Sequence, residues 1–301
     1  MNLISIGNFD GVHLGHQALL RRARELAAGG SVVAVTFEPH PTTLLRDHRA
    51  PERLMNTAQR RESLLASGAD RVRELVPTPE LLGMSPRAFI DWLRREVPFD
   101  GIVEGDDFRF GRGRSAGLAE LRELGGSMGF QVEQVEGQDV ELEDRTVVRV
   151  CSTLIRWLLG RGRVVDVARA LGRPHQLRGD VVRGDQRGRT IGFPTANLDC
   201  GELMLPGDGV YAGVATLPDG GRRPAAVSVG VKPTFGGDAR IAEVHLIGHD
   251  GPVDDYGWSL SVDLVRWIRG QTRFDGIDDL LARITLDCAE TERRVQEQLV
   301  G

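Results

Sequence analysis

The chain begins with an apolar run, Leu3 to Ile6 (LISI), that reads as a buried strand. The period then changes. From Gln17 onward Leu19, Leu20, Ala23 and Leu26 fall on one stripe, with arginine and glutamate opposite, which predicts an amphipathic helix. The same alternation fills the first half. Residues 31–37 (SVVAVTF) are continuous and β-branched, the pattern of a parallel strand buried on both faces. TAQRRESLLASG, from Thr57, has a threonine start and a glycine stop. DRVRELVP, from Asp70, predicts another strand. SPRAFIDWLRREV begins with Ser85 as a cap and Pro86 at the first helical position. FDGIVEGDDF is a strand running into a loop, LAELRELGGSMG is a helix with a glycine end, and FQVEQVE alternates like a strand. Repeated strand and helix of this kind predict an α/β unit with a doubly wound parallel sheet.

A mostly helical stretch, residues 152–173, closes that half, and the pattern changes after about Gly172. From Gln176 the segments are short alternating strands punctuated by Gly and Asp: LRGDVVRGD, GVYAGVATL, AAVSVGV, AEVHLIG and SLSVDLVRWIR. They predict an antiparallel barrel or sandwich. Residues 277–299 then form an amphipathic closing helix.

Composition narrows the function classes. A chain of 301 residues with 41% hydrophobic content can bury two ordinary cores. Charged residues make up 27% and the net charge is -5, so nucleic acid and membrane surfaces are not expected partners. Lys232 is the single lysine, so the arginines of RFGRGR reflect a general bias rather than a basic patch. Cys151, Cys200 and Cys288 are far apart and lack metal spacing, and a cytoplasmic location is expected. No signal peptide or membrane span is expected.

Four stretches carry candidate chemistry. In GNFDGVHLGH (Gly7–His16) the junction of strand and helix offers free N–H groups and a positive dipole end, which suit an anion. His13 and His16, three apart, project to one side of it, with Gly7 and Asp10 in the turn; the plainer alternative is a surface histidine and one bonded to a carbonyl. VEGDDFRFGRGRSAG follows a strand end, where ligands bind in open α/β sheets, and Asp107 there is a candidate ligand contact or an ordinary loop acid. CSTLIR puts Ser152 or Thr153 at a helix N-cap with Arg156 nearby, either a second anion site or a plain cap. In GRTIGFPTANL, Thr195 and Asn197 are two apart in an extended segment and face one way. Their oxygens suit Mg²⁺ held with nucleotide phosphates, and Gly184, Gly188 and Gly192 permit close approach to phosphate. Glu243 and His245 share a strand face, and facing such a site Glu243 could serve as a general base.

Taken in order, these motifs resemble the bacterial bifunctional riboflavin kinase/FMN adenylyltransferases, or FAD synthetases. GNFDGVHLGH, TFEPHP, EGDDFRFGRG and CSTLIR resemble the adenylyltransferase half; GRTIGFPTANL, LPGDGVYAG, SVGVKPTFGG and EVHLI resemble the kinase half. The resemblance implies a Rossmann-like nucleotidyltransferase domain over residues 1–171 and a riboflavin kinase barrel over 172–301. It implies ATP as co-substrate, riboflavin and FMN as acceptors, FAD as a product that can be retained, and Mg²⁺. His13 and His16 would contact ATP phosphates and stabilise charge at the attacked α-phosphorus. Asp107 and Phe108 would form the flavin-nucleotide loop, and Ser152, Thr153 and Arg156 would close over the triphosphate. Thr195 and Asn197 would hold Mg²⁺ and phosphate with Gly184 and Gly192 beside them, and Glu243 would be the base on the riboflavin 5′-hydroxyl. Oligomeric state is not implied.

Four departures stand out. The phosphate-motif strand starts almost at once, predicting a shortened sheet edge or a lost contact. Glu104 stands in the VEGDDF loop where the family usually has a second valine and adds a charge near a ligand site, and Cys151 stands where it usually has serine. After EVHLI, GHDGPVDDYG replaces an apolar-acidic pair, with Asp250 or Asp254 as candidate substitutes. Alternative readings are an enzyme retaining one of the two activities, and a flavin- or nucleotide-binding regulator without chemistry.

Overall fold

The computed structural model describes residues 1–44, 50–184, 188, 191–234, 237–249 and 256–300. By contacts the chain divides into two compact units. One comprises Met1–Glu52, Thr57–Val140 and Val147–Cys151; the other comprises Arg53–Asn56, Glu141–Thr146 and Ser152–Gly301.

In the first unit, β1 (Leu3–Ile6), β2 (Val32–Phe37), β3 (Arg71–Leu75), β4 (Gly101–Gly105) and β5 (Gln131–Val135) form one sheet in the order β3-β2-β1-β4-β5. All four pairings are parallel. The apolar runs occupy the middle: every residue of β1 is buried, whereas edge strand β3 alternates with exposed positions. β1 is therefore a central strand, not a shortened edge. The crossovers are α1 (Leu14–Ala27), α2 (Thr57–Ala66), α3 (Pro79–Leu82), α4 (Pro86–Glu96) and α5 (Leu118–Met128). Ser85 Oγ accepts the Ala88 N–H at 3.3 Å with Pro86 next to it, and Gly129 ends α5 at φ +73. Ile4, Val33, Ile90, Leu93, Ile102 and Leu121 form the core between sheet and helices. Because the chain winds outward from β1 to β3 and then returns to β4, the winding reverses between β1 and β4. The carboxyl ends of those strands form the ligand crevice of an open sheet.

A short hairpin, β6 (Asp139–Glu141) and β7 (Val147–Arg149), was not read from the sequence. Its turn places Arg145 at φ +67 and uses Asp144 Oδ1 to accept the Thr146 N–H, with no glycine to announce it.

The second unit starts with α6 (Ser152–Leu159) and α7 (Val164–Leu171), so the single helical stretch expected there is two helices. Gly162, at φ +71, separates them, and a Cβ there would lie 2.8 Å from Tyr211 Oη. Six strands follow: β8 (His175–Val182), β9 (Ala196–Asp199), β10 (Gly209–Thr216), β11 (Arg222–Thr234), β12 (Gly237–Leu246) and β13 (Ser259–Arg269). They close antiparallel in the order β10-β11-β12-β9-β8-β13, which settles barrel over sandwich. Val227, Val229, Ala242, Val244, Val262 and Leu264 are buried at alternate positions and fill the interior. α8 (Ile277–Val300) packs against the barrel, where the Arg269 guanidinium grips the buried Asp287 carboxylate at 2.7 Å.

Candidate active sites

In the first unit, the chain leaves β1 into a tight turn at the crevice. Phe9, Gly11 and Val12 have φ of +49, +87 and +39, and Phe9 and Val12 are fully buried beneath it. The turn delivers His13 to the N-cap of α1, where its Nδ1 accepts the His16 N–H at 3.4 Å. That bond leaves the His13 proton on Nε2. The two imidazoles stack, 3.6 Å between centroids and 19° between planes, and Phe9 meets His16 edge-on at 5.1 Å. His16 Nδ1 is enclosed with no partner, so its proton also belongs on Nε2. Burial first, and then the charge of His13, hold the His16 imidazole well below its ordinary pKa. His16 thus presents a neutral N–H donor, with the His13 ring stacked beside it, at a helix start that carries no acidic residue in its first turn. Asp10 is half-buried in the same turn, and the Gly7 N–H donates to Val35 O.

Sequence reasoning missed what supports this turn. The Asn8 carbonyl accepts from Thr36 Oγ1 at 3.2 Å and Arg60 Nη1 at 3.4 Å, and Asn8 Nδ2 meets His40 Nε2 at 2.9 Å. Arg60 is buried and also bonds Glu38 at 2.8 Å. The motif TFEPHP hinted at Glu38 and His40; nothing marked Arg60. Gly15 was missed too: a Cβ there would lie 3.2 Å from the His13 ring.

The second wall of the crevice is the turn after β4. Phe108 N–H closes it on Gly105 O at 3.2 Å, leaving Asp107 exposed, while Phe108 stacks on Phe110 at 5.5 Å. Glu104, one residue before the turn, is 2% exposed rather than a loop charge, and burial lifts its pKa well above the usual carboxylate range. α6 already includes Ser152 and Thr153, so they stand in its first turn and not at the cap, and Arg156 follows one turn later, all in the second unit.

On the barrel, register aligns the remaining candidates. Glu243 pairs with Asn197 across β12–β9 and with Ser228 across β11–β12. Directly opposite residues share a face, and buried Ala196, Leu198, Ala242 and Val244 turn inward, so Asn197, Glu243 and Ser228 form one row on the outer surface. Thr195, two before Asn197, extends it. His245, on the same face as Glu243, is tied by Nδ1 to Pro194 O at 2.8 Å, and its ring meets Phe193 at 5.4 Å. It fastens the segment that carries Thr195. Beside the row lies a cavity of about 420 Å³, lined by Glu243, Ser228 and Gln271 with apolar Val231 and Ile241. Gln271 Nε2 donates to Ser228 Oγ and to Val229 O.

The donors fit a hard cation held with phosphate. Gly184 lies so close to Asn197 that a Cβ would be 2.1 Å from its Nδ2, and a Cβ on Gly188 would lie 3.4 Å from Thr195 Oγ1. These glycines leave the cradle that a side chain would fill. Gly192 sits exposed at φ +85 in the turn after Gly188. Among the described residues no group of three His, Cys, Asp or Glu could hold a metal. Asp250 and Asp254, and part of SVGVKPTFGG, lie outside the described residues.

A parallel sheet with an imidazole-lined crevice, followed by a closed barrel with a carboxylate beside a cation cradle, defines a two-part nucleotide-dependent transferase. Family models agree with each part: FAD synthetase matches residues 1–153 and riboflavin kinase residues 171–295. The chain belongs to the bifunctional riboflavin kinase/FMN adenylyltransferase family. It is 35% identical over 293 residues to the member from Escherichia coli K12, covering 95% of this chain and 90% of that protein. It is 36% identical to the member from Pseudomonas fluorescens, over the same shares of each chain. A crystal structure of a Streptococcus pneumoniae protein called macrolide-efflux protein superposes with a TM-score of 0.86 at 30% identity, over 97% of this chain and 93% of that one. Among the described residues no helix is long and apolar enough to cross a membrane.

Proposed function

We infer that this chain makes FAD from riboflavin in two ATP-dependent steps: residues 172–301 phosphorylate riboflavin to FMN, and residues 1–171 adenylylate FMN with release of pyrophosphate. The observation that carries the reading is the ordered match of both family models, each falling on a unit with its own candidate site.

In the kinase half the nucleophile is a neutral alcohol, so a base has work to do. Glu243 accepts the proton of the riboflavin 5′-hydroxyl, and the cavity beside it takes the flavin, with Val231 and Ile241 against the ring. Thr195 and Asn197 hold Mg²⁺, which supplies charge neutralisation on the ATP phosphates. Gly184, Gly188 and Gly192 keep the cradle open, and His245 holds the Thr195 segment in place. In the adenylyltransferase half the attacking FMN phosphate is already anionic, and no protein nucleophile is needed. What is needed is relief of repulsion between two anions in a fixed geometry. His13 and His16 donate from Nε2 to ATP phosphate oxygens as charge builds at the α-phosphorus, with Gly7 and Asp10 shaping the turn. Asp107 and Phe108 contact the flavin nucleotide. Cytoplasm is the proposed compartment, in keeping with three cysteines far apart in sequence.

The test assays each reaction separately, riboflavin with ATP and FMN with ATP, both with Mg²⁺. Formation of FMN in the first and of FAD with pyrophosphate in the second supports the reading; absence of either product overturns it for that half.

A further inference from the structure

At the crevice the β1–β4 ladder is short. Its paired residues are Leu3 with Gly101 and Ile4 with Ile102. The Leu3 and Gly7 N–H groups donate toward β2, to Ser31 O and Val35 O, and Asp100 N–H reaches Asn2 O from the other side. Alternation in a parallel ladder therefore turns the Ile6 N–H toward β4, at a level where no β4 backbone is paired with β1. A buried amide left there without an acceptor would be costly. Glu104 supplies the acceptor: its Oε1 takes the Ile6 N–H at 2.5 Å, and Ser5 Oγ lies at 3.5 Å. Ile6 leads directly into the imidazole turn and Glu104 directly into the Asp107 turn.

We propose that Glu104 is a positioning residue for adenylyl transfer: its side chain replaces the missing β1–β4 backbone bond and sets the separation of the two turns that wall the crevice. The inference rests on the assignment of adenylyl transfer to the first unit. The surroundings of the Glu104 carboxyl set its proton occupancy. The groups facing it are the Ser5 hydroxyl and Ile6 amide of β1, the Gly105 amide of β4 and the Asp107 carboxylate of the following turn. α1 packs over β4, and the ionisable group of its first turn is His16, which is held neutral. Among the described residues no cation pairs with Glu104. Burial, and then Asp107, favour its protonated form; the bonds from Ile6 and Ser5 act the other way without overcoming burial. Ionisation places a negative charge against Asp107, in a crevice that must accept phosphates. The unfolded chain ionises this carboxyl at its ordinary, lower pKa. Stability is therefore complete in acid and is lost as pH rises through the raised value.

Two variants test this. Glu104→Gln keeps a carbonyl acceptor for Ile6 and cannot ionise; Glu104→Val removes the acceptor at similar bulk. Adenylylation kcat/KM and Tm are followed from about pH 6 to about pH 9, with riboflavin phosphorylation of the same preparations as reference. The wild type loses relative adenylylation and Tm as pH rises, and the Gln variant loses neither. The Val variant adenylylates about tenfold more slowly at every pH, while its phosphorylation is unchanged. A Gln variant with the wild-type pH limb, or a Val variant with wild-type adenylylation, overturns the proposal. Wild type that makes no FAD from FMN sinks the functional assignment instead. In that case a Tm difference between Gln variant and wild type that does not widen with pH still overturns the clamp.

Discussion

Gly184→Ala perturbs the cation cradle without touching the barrel interior. A Cβ there would lie 2.1 Å from Asn197 Nδ2, 2.4 Å from Cγ and 2.6 Å from Oδ1, where ordinary contact begins at 3.4 Å. The Asn197 amide must retreat by about 1 Å or more, since every close atom belongs to that one group. The amide is the free end of a side chain on the barrel's outer face, so the fold survives. Loss of packing costs about 1 kcal/mol, and the reduced freedom of the unfolded chain offsets part of it. Chemistry is less forgiving. Displacing a positioning group by about 1 Å costs about 10²-fold in rate. Riboflavin phosphorylation should fall by about that factor with a raised Mg²⁺ requirement, while FMN adenylylation by the same protein stays within about twofold. Product chromatography over a Mg²⁺ series, beside a thermal melt, reads all three quantities. A variant that phosphorylates riboflavin at the wild-type rate would refute the placement of Asn197 in the kinase site. A Tm lowered by far more than about 5 °C would refute the claim that the cradle is separable from the fold.

Other predictions follow the same logic. Gly15→Ala adds a Cβ 3.2 Å from the His13 ring, so adenylylation should fall severalfold although alanine favours α1 by about 1 kcal/mol; a melt and an FAD assay should move in opposite directions. His245→Phe keeps the ring against Phe193 and loses the bond to Pro194 O, and should lower kcat for phosphorylation about tenfold with adenylylation unaltered in steady-state assays. His175 is buried, and desolvation with Arg173 nearby lowers its pKa to about 4. The unfolded chain takes up this proton near its ordinary value, so stability is full above that range and is lost as pH falls toward 4, by about 3 kcal/mol. Denaturant melts of wild type and His175→Asn should converge across that acid range.

The architecture was legible where burial is extreme. SVVAVTF and LISI are apolar but for Ser31, Thr36 and Ser5 because β1 and β2 are covered on both faces, and no helical stripe competes with that reading. Ser85-Pro86 and Gly129 announced their helix ends by local chemistry. The split between α6 and α7 falls at Gly160 and Gly162, and the cause that fixes it is long-range: Tyr211 and Trp267 occupy the space a side chain at Gly162 would need. Barrel closure is likewise a pairing of β13 with β10, set by contacts far apart in sequence. The His13–His16, Thr195–Asn197 and Glu243–His245 pairings were readable because each depends on short spacing, i to i+3 or i to i+2, whereas the placement of Glu243 opposite Asn197 is a register of β12 and β9. Arg60, Gly15 and the service of Glu104 to the Ile6 amide were not, because each answers to a neighbour that only the fold supplies. The composition of VEGDDF suggested an added loop charge at Glu104; the sheet instead buries that carboxyl.

The central claim is that the two halves divide the chemistry. It is tested most directly by chromatography of products from riboflavin, ATP and Mg²⁺ with wild type, His16→Ala and Glu243→Ala. The account predicts that His16→Ala accumulates FMN without FAD, and that Glu243→Ala forms no FMN from riboflavin yet converts supplied FMN to FAD. Loss of both conversions in either variant, with its melt unchanged, would contradict it.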